Sequence, residues 1–273
     1  MNRIDSIFAE RRSKGLGTLM PFVCGGFPRP GMTGGSIEAC ARGGAQIVEV
    51  GIPFSDPIAD GPVIASAMHE ALSGGASAAS VIDEVAQVRG RVGLGLVAMV
   101  SVSIVHRFGG AGGFARRVST AGFDGCIFPD CPLEESESFR AACAEHGLTS
   151  SLLIAPTTPA ARAEAIARAC TGFVYLLART GITGERSDAP DVEKRVRQLR
   201  GVTDLPIACG FGISSADHVR EVLRHADAAI VGSALVRRMD DANRRGSDAI
   251  EACEAFTRQL AEAIGPANAT RMA

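Results

Sequence analysis

Alternation is the feature that most constrains this chain. Short apolar runs ending in Gly, Pro, Asp or Ser recur eight times, with amphipathic stretches between them. The runs predict strands over residues 18–23, 46–51, 95–101, 125–129, 150–155, 172–176, 206–210 and 228–231. The intervening spacing predicts helices over 32–42, 62–72 and 79–89, 112–121, 134–146, 160–169, 192–199 and 215–224, with a last one over 248–264. Runs such as Ile47-Val48 and Ala228-Ala229-Ile230-Val231 do not alternate polar with apolar residues, as expected of parallel strands covered on both faces. Eight β/α units in about 250 residues fit a closed barrel better than an open doubly wound sheet, which has fewer strands and a nucleotide fingerprint at its first turn. The expected fold is therefore α/β: a single (β/α)8 TIM barrel spanning residues 1–273 as one domain. The opening MNRIDSIFAERRSKG reads as an extra N-terminal helix with Ile4, Ile7 and Phe8 on one face.

Composition removes several function classes. The 28 basic residues face 30 acidic ones for a net charge of -2, so no basic field exists for nucleic acid or an anionic membrane. Twelve Phe, one Tyr and no Trp leave little on which to stack single-stranded bases. No apolar run reaches the roughly 18 to 20 residues of a membrane span. The N-terminus lacks the apolar core of a signal peptide. The eight cysteines are spread without a CxxC or a paired His, which suits reduced structural thiols and a cytoplasmic location.

In such barrels the chemistry lies at the C-terminal ends of the strands. GFGIS at 210–214 follows the seventh predicted strand, and VGSA at 231–234 follows the eighth and opens a short helix. Glycines let backbone approach an anion, helix N-termini supply free amides, and two such loops in this order form the usual barrel phosphate site. Gly184, in the long stretch 178–190, is a third candidate donor. Tight βα turns alone would also account for the glycines. Glu49 lies inside the run Ile47-Val48-Glu49-Val50, near the mouth end of the second strand. A buried carboxylate tends to a raised pKa, suited to giving and taking protons near neutrality, although an ion-paired interior Glu fits the same pattern. Asp56 and Asp60 follow in the loop 52–61, whose prolines and glycines imply a shaped segment; turn or helix-cap roles suit both equally. Lys14 and Lys194, the only lysines, stand away from any strand's catalytic end, and the five histidines fall mostly on predicted helices. A lysine Schiff base, a metal-dependent aldolase and a GxSxG hydrolase are thus disfavoured, leaving proton transfer by carboxylates without a metal or cofactor.

Along nearly its whole length the sequence resembles the α subunit family of tryptophan synthase. The resemblance is carried by PFV at 21–23, EVGIPFSDPIADGP at 49–62, APTTP at 155–159, YLLARTGITG at 175–184, GFGIS and VGSA. It implies cleavage of indole-3-glycerol phosphate to indole and glyceraldehyde 3-phosphate. It also implies transfer of indole to a β subunit that bears the pyridoxal phosphate, in an α2β2 heterotetramer, with no cofactor on this chain. By the same resemblance Glu49 would be the acid-base and Asp60 the partner of the indole N–H. Phe22, Ile127 and Tyr175 would flank the indole; Thr183 would belong to a closing loop; Gly184, Phe211, Gly212, Gly232 and Ser233 would surround the phosphate; Pro53 and Asp56 would lie towards the β subunit. The chain departs from the family after the third strand, where Ser101-Val102-Ser103-Ile104 replaces the common Tyr-Tyr-Asn-Pro. After the first strand Gly26-Phe27-Pro28 replaces Gly-Asp-Pro, and residues 109–113 are unusually glycine-rich. The alternatives are a stand-alone lyase that releases indole and a subunit kept chiefly to bind and activate its β partner.

Overall fold

The computed structural model describes residues 1–57, 60–178, 192–210 and 212–264. Among these, nine strands follow one another as β1 (Thr18–Cys24), β2 (Ile47–Gly51), β3 (Gly95–Met99), β4 (Gly125–Ile127), β5 (Thr149–Ser151), β6 (Leu153–Ile154), β7 (Val174–Leu177), β8 (Ile207–Gly210) and β9 (Ala228–Val231). All pair in parallel, in the order β5-β4-β3-β2-β1-β9-β8-β7-β6. Because β5 and β6 are halves of one stave parted at Leu152, the two ends of this order meet and the sheet is a nearly closed barrel. The split is where the eight expected strands become nine. The Leu152 N–H turns to Cys170 Sγ, 3.3 Å away, instead of a neighbouring strand. Ser150 and Thr171 hold the bend, with Thr171 N–H donating to the Ser150 carbonyl and Thr171 Oγ1 accepting from Ser150 N–H, both at 2.8 Å.

The described helices are α1 (Arg3–Ser13), α2 (Thr33–Arg42), α3 (Pro62–Ser73), α4 (Ala78–Val88), α5 (Val102–Arg107), α6 (Gly110–Ala121), α7 (Glu137–Glu145), α8 (Ala160–Ala169), α9 (Glu193–Arg200), α10 (Ala216–Leu223), α11 (Ser233–Arg244) and α12 (Ala249–Ala261). Two depart from expectation. Segment α5, too short to show an apolar period, exists because Ser101 caps it, its Oγ accepting from Ser103 N–H at 3.2 Å. Helix α11 runs for 12 residues, with Leu235, Val236 and Met239 buried.

Side chains alternate across a strand, so every second residue enters the barrel. Met20, Ile47, Val97, Ile127, Phe173, Tyr175, Ala208, Ala228 and Ile230 form this inner core, and Ile4 and Phe8 of α1 join it from below. Phe8 meets Phe173 with ring centroids 6.0 Å apart. Two carboxylates at the N-terminal ends of strands tie α1 in place. Asp227 accepts from Ile207 N–H at 2.8 Å and pairs with Arg12 at 3.1 Å and with Arg200. Asp124 accepts from Leu96 N–H at 2.9 Å and pairs with Arg89 at 3.3 Å and Arg3 at 3.5 Å. With its lower end plugged in this way, the barrel offers the C-terminal ends of its strands as the mouth.

Candidate active site

Glu49 stands on β2 in register with Phe22 of β1 and Val97 of β3. Two residues beyond inward-facing Ile47, it points into the barrel near the mouth and is fully buried. Neither carboxylate oxygen has a hydrogen-bond partner among the described residues. Burial without a partner disfavours the charged form, and it raises the Glu49 carboxyl well above the ordinary carboxylate range. Tyr175, inward on β7, sits close enough that burial first, and then the Glu49 and Asp60 charges, push its phenol well up.

Asp60 comes from the segment after β2, immediately before Gly61, the N-cap of α3, and Pro62, its first residue. Its own N–H donates to the Pro57 carbonyl at 3.1 Å. Burial raises its carboxyl from 3.8 to about 6. The Cys24 thiol, at the end of β1, is raised by burial and by the Asp60 charge. Asp60 thus shares the mouth with β1 and β7, and its electrostatic reach meets that of Glu49 at Tyr175. Asp56 is exposed and accepts from Ser55 Oγ at 2.5 Å, whereas Pro53 is buried.

Phe22, Tyr175 and Ile127 line the inner wall, all at most 5% exposed. Two glycines make room for the rings: Gly51, which sequence patterning did not single out, and Gly210, which it read only as the start of the GFGIS turn. A Cβ on Gly51 would lie 2.3 Å from Phe22 Cζ, and one on Gly210 would lie 2.5 Å from the Tyr175 hydroxyl. Both glycines face inward at the mouth ends of their strands, and the only sequence signal was a glycine closing an apolar run.

Across the mouth, β8 and β9 pair in parallel, which brings the loops after them side by side. Gly212 has a left-handed φ of 78°, a conformation that glycine adopts without strain. Gly232 caps α11 and Ser233 begins it, so the first amides of that helix, which have no partner within it, lie at the mouth end of β9, the neighbour of β8. Two backbone turns and a helix N-terminus make a cradle for an anion. His218 of α10 supports it, with Nδ1 at 3.2 Å from the Gly212 carbonyl and 3.4 Å from Ser214 Oγ. Thr183, Gly184 and Phe211 lie outside the described residues.

Beyond Asp60 a cavity of about 230 Å³ extends between the β2 segment and α5, walled by Ile52, Phe54, Met68, Met99, Ser103 and Pro129. Asp130, at the end of β4, fixes its rim. It accepts from Ser101 Oγ at 2.6 Å and from Val102 N–H at 3.0 Å. Sequence reading did not anticipate this clamp, because a lone Asp after a short strand carries no pattern.

A family model described as tryptophan synthase alpha chain matches residues 8–265. A tryptophan synthase alpha chain from Solibacter usitatus is 40% identical over 266 residues, 97% of this chain and 99% of that one. Another from Laribacter hongkongensis is 41% identical over 265 residues, 96% of this chain and all of the other. The crystal structure of tryptophan synthase subunit alpha from Legionella pneumophila superposes with a TM-score of 0.88 at 31% identity, covering 96% of this chain and 98% of that one. A crystal structure of tryptophan synthase from M. tuberculosis in an aminoacrylate-bound form gives 0.86 at 29%, with 97% and 100% covered.

Proposed function

The chain belongs to the tryptophan synthase alpha chain family, and from that membership we propose how its own residues carry out the family's reaction. As an α subunit it is a lyase of tryptophan biosynthesis: it cleaves indole-3-glycerol phosphate to indole and glyceraldehyde 3-phosphate. The role assignments rest most heavily on one observation: Glu49 is a fully buried carboxyl without a described partner, aimed into the barrel beside Tyr175.

In the proposed mechanism the phosphate docks on the amides around Gly212, Gly232 and Ser233, with Gly184 and Phe211 completing the cradle. The indole packs against Phe22, Ile127 and Tyr175. Protonated Glu49 delivers its proton to indole C3, which interrupts the ring's conjugation and places positive charge on N1. Asp60, ionised above pH about 6, accepts the N1–H and stabilises that charge. Glu49, now a carboxylate, takes the proton from the hydroxyl on the adjoining glycerol carbon. The O–H electrons become the aldehyde C=O, the carbon-carbon bond breaks, and its electron pair restores the aromatic indole. One proton enters at carbon and one leaves from oxygen, so the step is balanced and needs no cofactor on this chain. Thr183, outside the described residues, is assigned by the family resemblance to a loop that closes over the site.

The family implies a β-subunit partner and a phosphate-bearing substrate. We place the β subunit against the rim that carries Pro53 and exposed Asp56, in an α2β2 assembly in the cytoplasm, with the whole chain acting as one barrel domain. No described helix is long and apolar enough to cross a membrane. The test is steady-state indole release, with and without a β subunit, from wild type and Glu49→Gln, alongside binding of a non-cleavable indolylalkyl phosphate. Wild-type turnover that Glu49→Gln abolishes with analogue binding intact supports the assignment; retained turnover in the variant overturns it. Rapid turnover that a β subunit leaves unchanged would instead indicate a stand-alone lyase, and no turnover in either state a purely activating subunit.

A further inference from the structure

The cavity beyond Asp60 is larger than the reaction of an unsubstituted indole requires. A cavity of about 150 Å³ suffices to hold a benzene ring, so the ≈ 230 Å³ here leaves roughly 80 Å³ unclaimed even if the benzo ring enters it whole. A methyl group or chlorine takes about the ~30 Å³ share of one water molecule. Much of the wall suits an apolar group: Ile52, Phe54, Met68, Met99 and Pro129 supply carbon and sulfur surface, the small Ser101 and Ser103 face it from the α5 side, and exposed Asp56 lies at its outer edge, towards the rim assigned to the β subunit. Two polar groups at the rim, Ser101 and Asp130, spend their hydrogen-bonding capacity on each other and on the cap of α5.

Position decides which part of an indole reaches this space. Asp60 and Met99 line the cavity; Glu49 does not. Met99 lies in register with Gly51 and Ile127, one inward layer above Glu49 and Val97. With N1–H at Asp60 and C3 at Glu49, the ring edge on the nitrogen side, carbons 6 and 7, turns towards the cavity. The edge at carbon 4 stays against the packed wall of Phe22, Ile127 and Tyr175. We propose that this chain cleaves indole-3-glycerol phosphates carrying a small apolar substituent at ring carbon 6, and that the substituent is seated between Asp60 and Ser103. The proposal rests on the reading of Glu49 and Asp60 given above.

The experiment compares kcat/KM for unsubstituted, 6-methyl and 4-methyl indole-3-glycerol phosphate in the complex with a β subunit. The 6-methyl substrate is expected between parity and about fourfold above the parent, the gain available from burying one methyl. The 4-methyl substrate is expected at least tenfold below it. In Ser103→Phe, whose ring fills the cavity from α5, the 6-methyl to parent ratio should fall about tenfold; Met68→Phe fills it from α3 and serves if the first variant does not fold. A 6-methyl substrate rejected as strongly as the 4-methyl one, with the parent still cleaved, overturns this proposal alone. An unchanged ratio in a folded cavity-filling variant also overturns it. Failure to cleave the parent overturns the reading beneath it.

Discussion

Glu49 and Asp60 are both carboxylates raised by burial at the barrel mouth, yet their environments raise them to different degrees. Glu49 is fully enclosed, and burial raises it well above the usual range, which favours its protonated form. Asp60 is raised only to about 6 and so carries charge at neutral pH. Pairs of titratable groups whose surroundings separate their pKa values are suited to paired acid and electrostatic roles. Glu49→Gln keeps shape and size but removes the exchangeable proton, and a loss of about 10³-fold or more in kcat is expected, with little change in binding of a substrate analogue. For Asp60→Asn, kcat/KM should fall by about 10²-fold or more at pH 7.5. The wild-type profile should show an acid limb near pH 6 that the variant lacks. Asp60 also links to stability. Its folded pKa exceeds the ordinary 3.8, so its stabilising contribution is complete below about pH 3.8 and is lost as pH rises through about 6. Thermal melts should therefore show Asp60→Asn gaining on wild type at pH 7 and not at pH 4. A gain at both would place the cost in packing instead of charge.

At the scale of elements, the mouth is shaped by what the strand ends omit. Gly51 and Gly210 leave the space into which the Phe22 and Tyr175 rings lean. Gly210→Ala would drive a methyl against a fully enclosed phenol, and an overpacking cost of about 1–3 kcal/mol is expected together with a lower kcat/KM. An unaltered melting temperature and rate would mean the ring moves freely. Helix α5 stands where the family commonly has Tyr-Tyr-Asn-Pro, and its cap is the Ser101–Asp130 pair. Asp130→Ala uncaps it at a cost of about 1 kcal/mol, a fall in Tm of about 2–4 °C. The strand and helix alternation was legible because periodicity is a local property. Predicted and observed strands mostly agree within one or two residues at each end, and α8 agrees at both. Segment α5 and the break at Leu152 were not legible: each depends on a hydrogen-bond partner, Asp130 or Cys170, that only the fold brings near.

For the whole molecule, function and stability sit at opposite ends of the barrel. The N-terminal end is closed by α1 and held by Asp124 and Asp227, both far from the mouth. Burial alone would raise the Asp227 carboxyl, but Arg200, Arg12 and the Ile207 N–H outweigh it and the group is lowered. A lowered group stabilises above its ordinary pKa, and its contribution is lost as pH falls below about 4. Asp227→Ala leaves the buried Ile207 N–H without its acceptor and two partly exposed arginines without their partner, at an expected cost of about 1–3 kcal/mol. Its kcat, measured well below the lowered melting temperature, should stay near wild type, because no group at that end reaches the substrate. A large drop in kcat would mean the plug shapes the mouth.

The sequence by itself determined the parallel barrel, the position of Glu49 near a strand's mouth end, and the glycine turns after the last two strands. Each of these is written in contiguous residues through chirality, period and local turn chemistry. Only the tertiary structure decided that Glu49 has no described partner, that Asp60 titrates near 6, that two glycines vacate space for two rings, and that a cavity lies open beside Ser103. Those are properties of solvent exclusion and contact, summed over side chains from β1, β2, β3, β4 and β7, and no single stretch of the chain contains them.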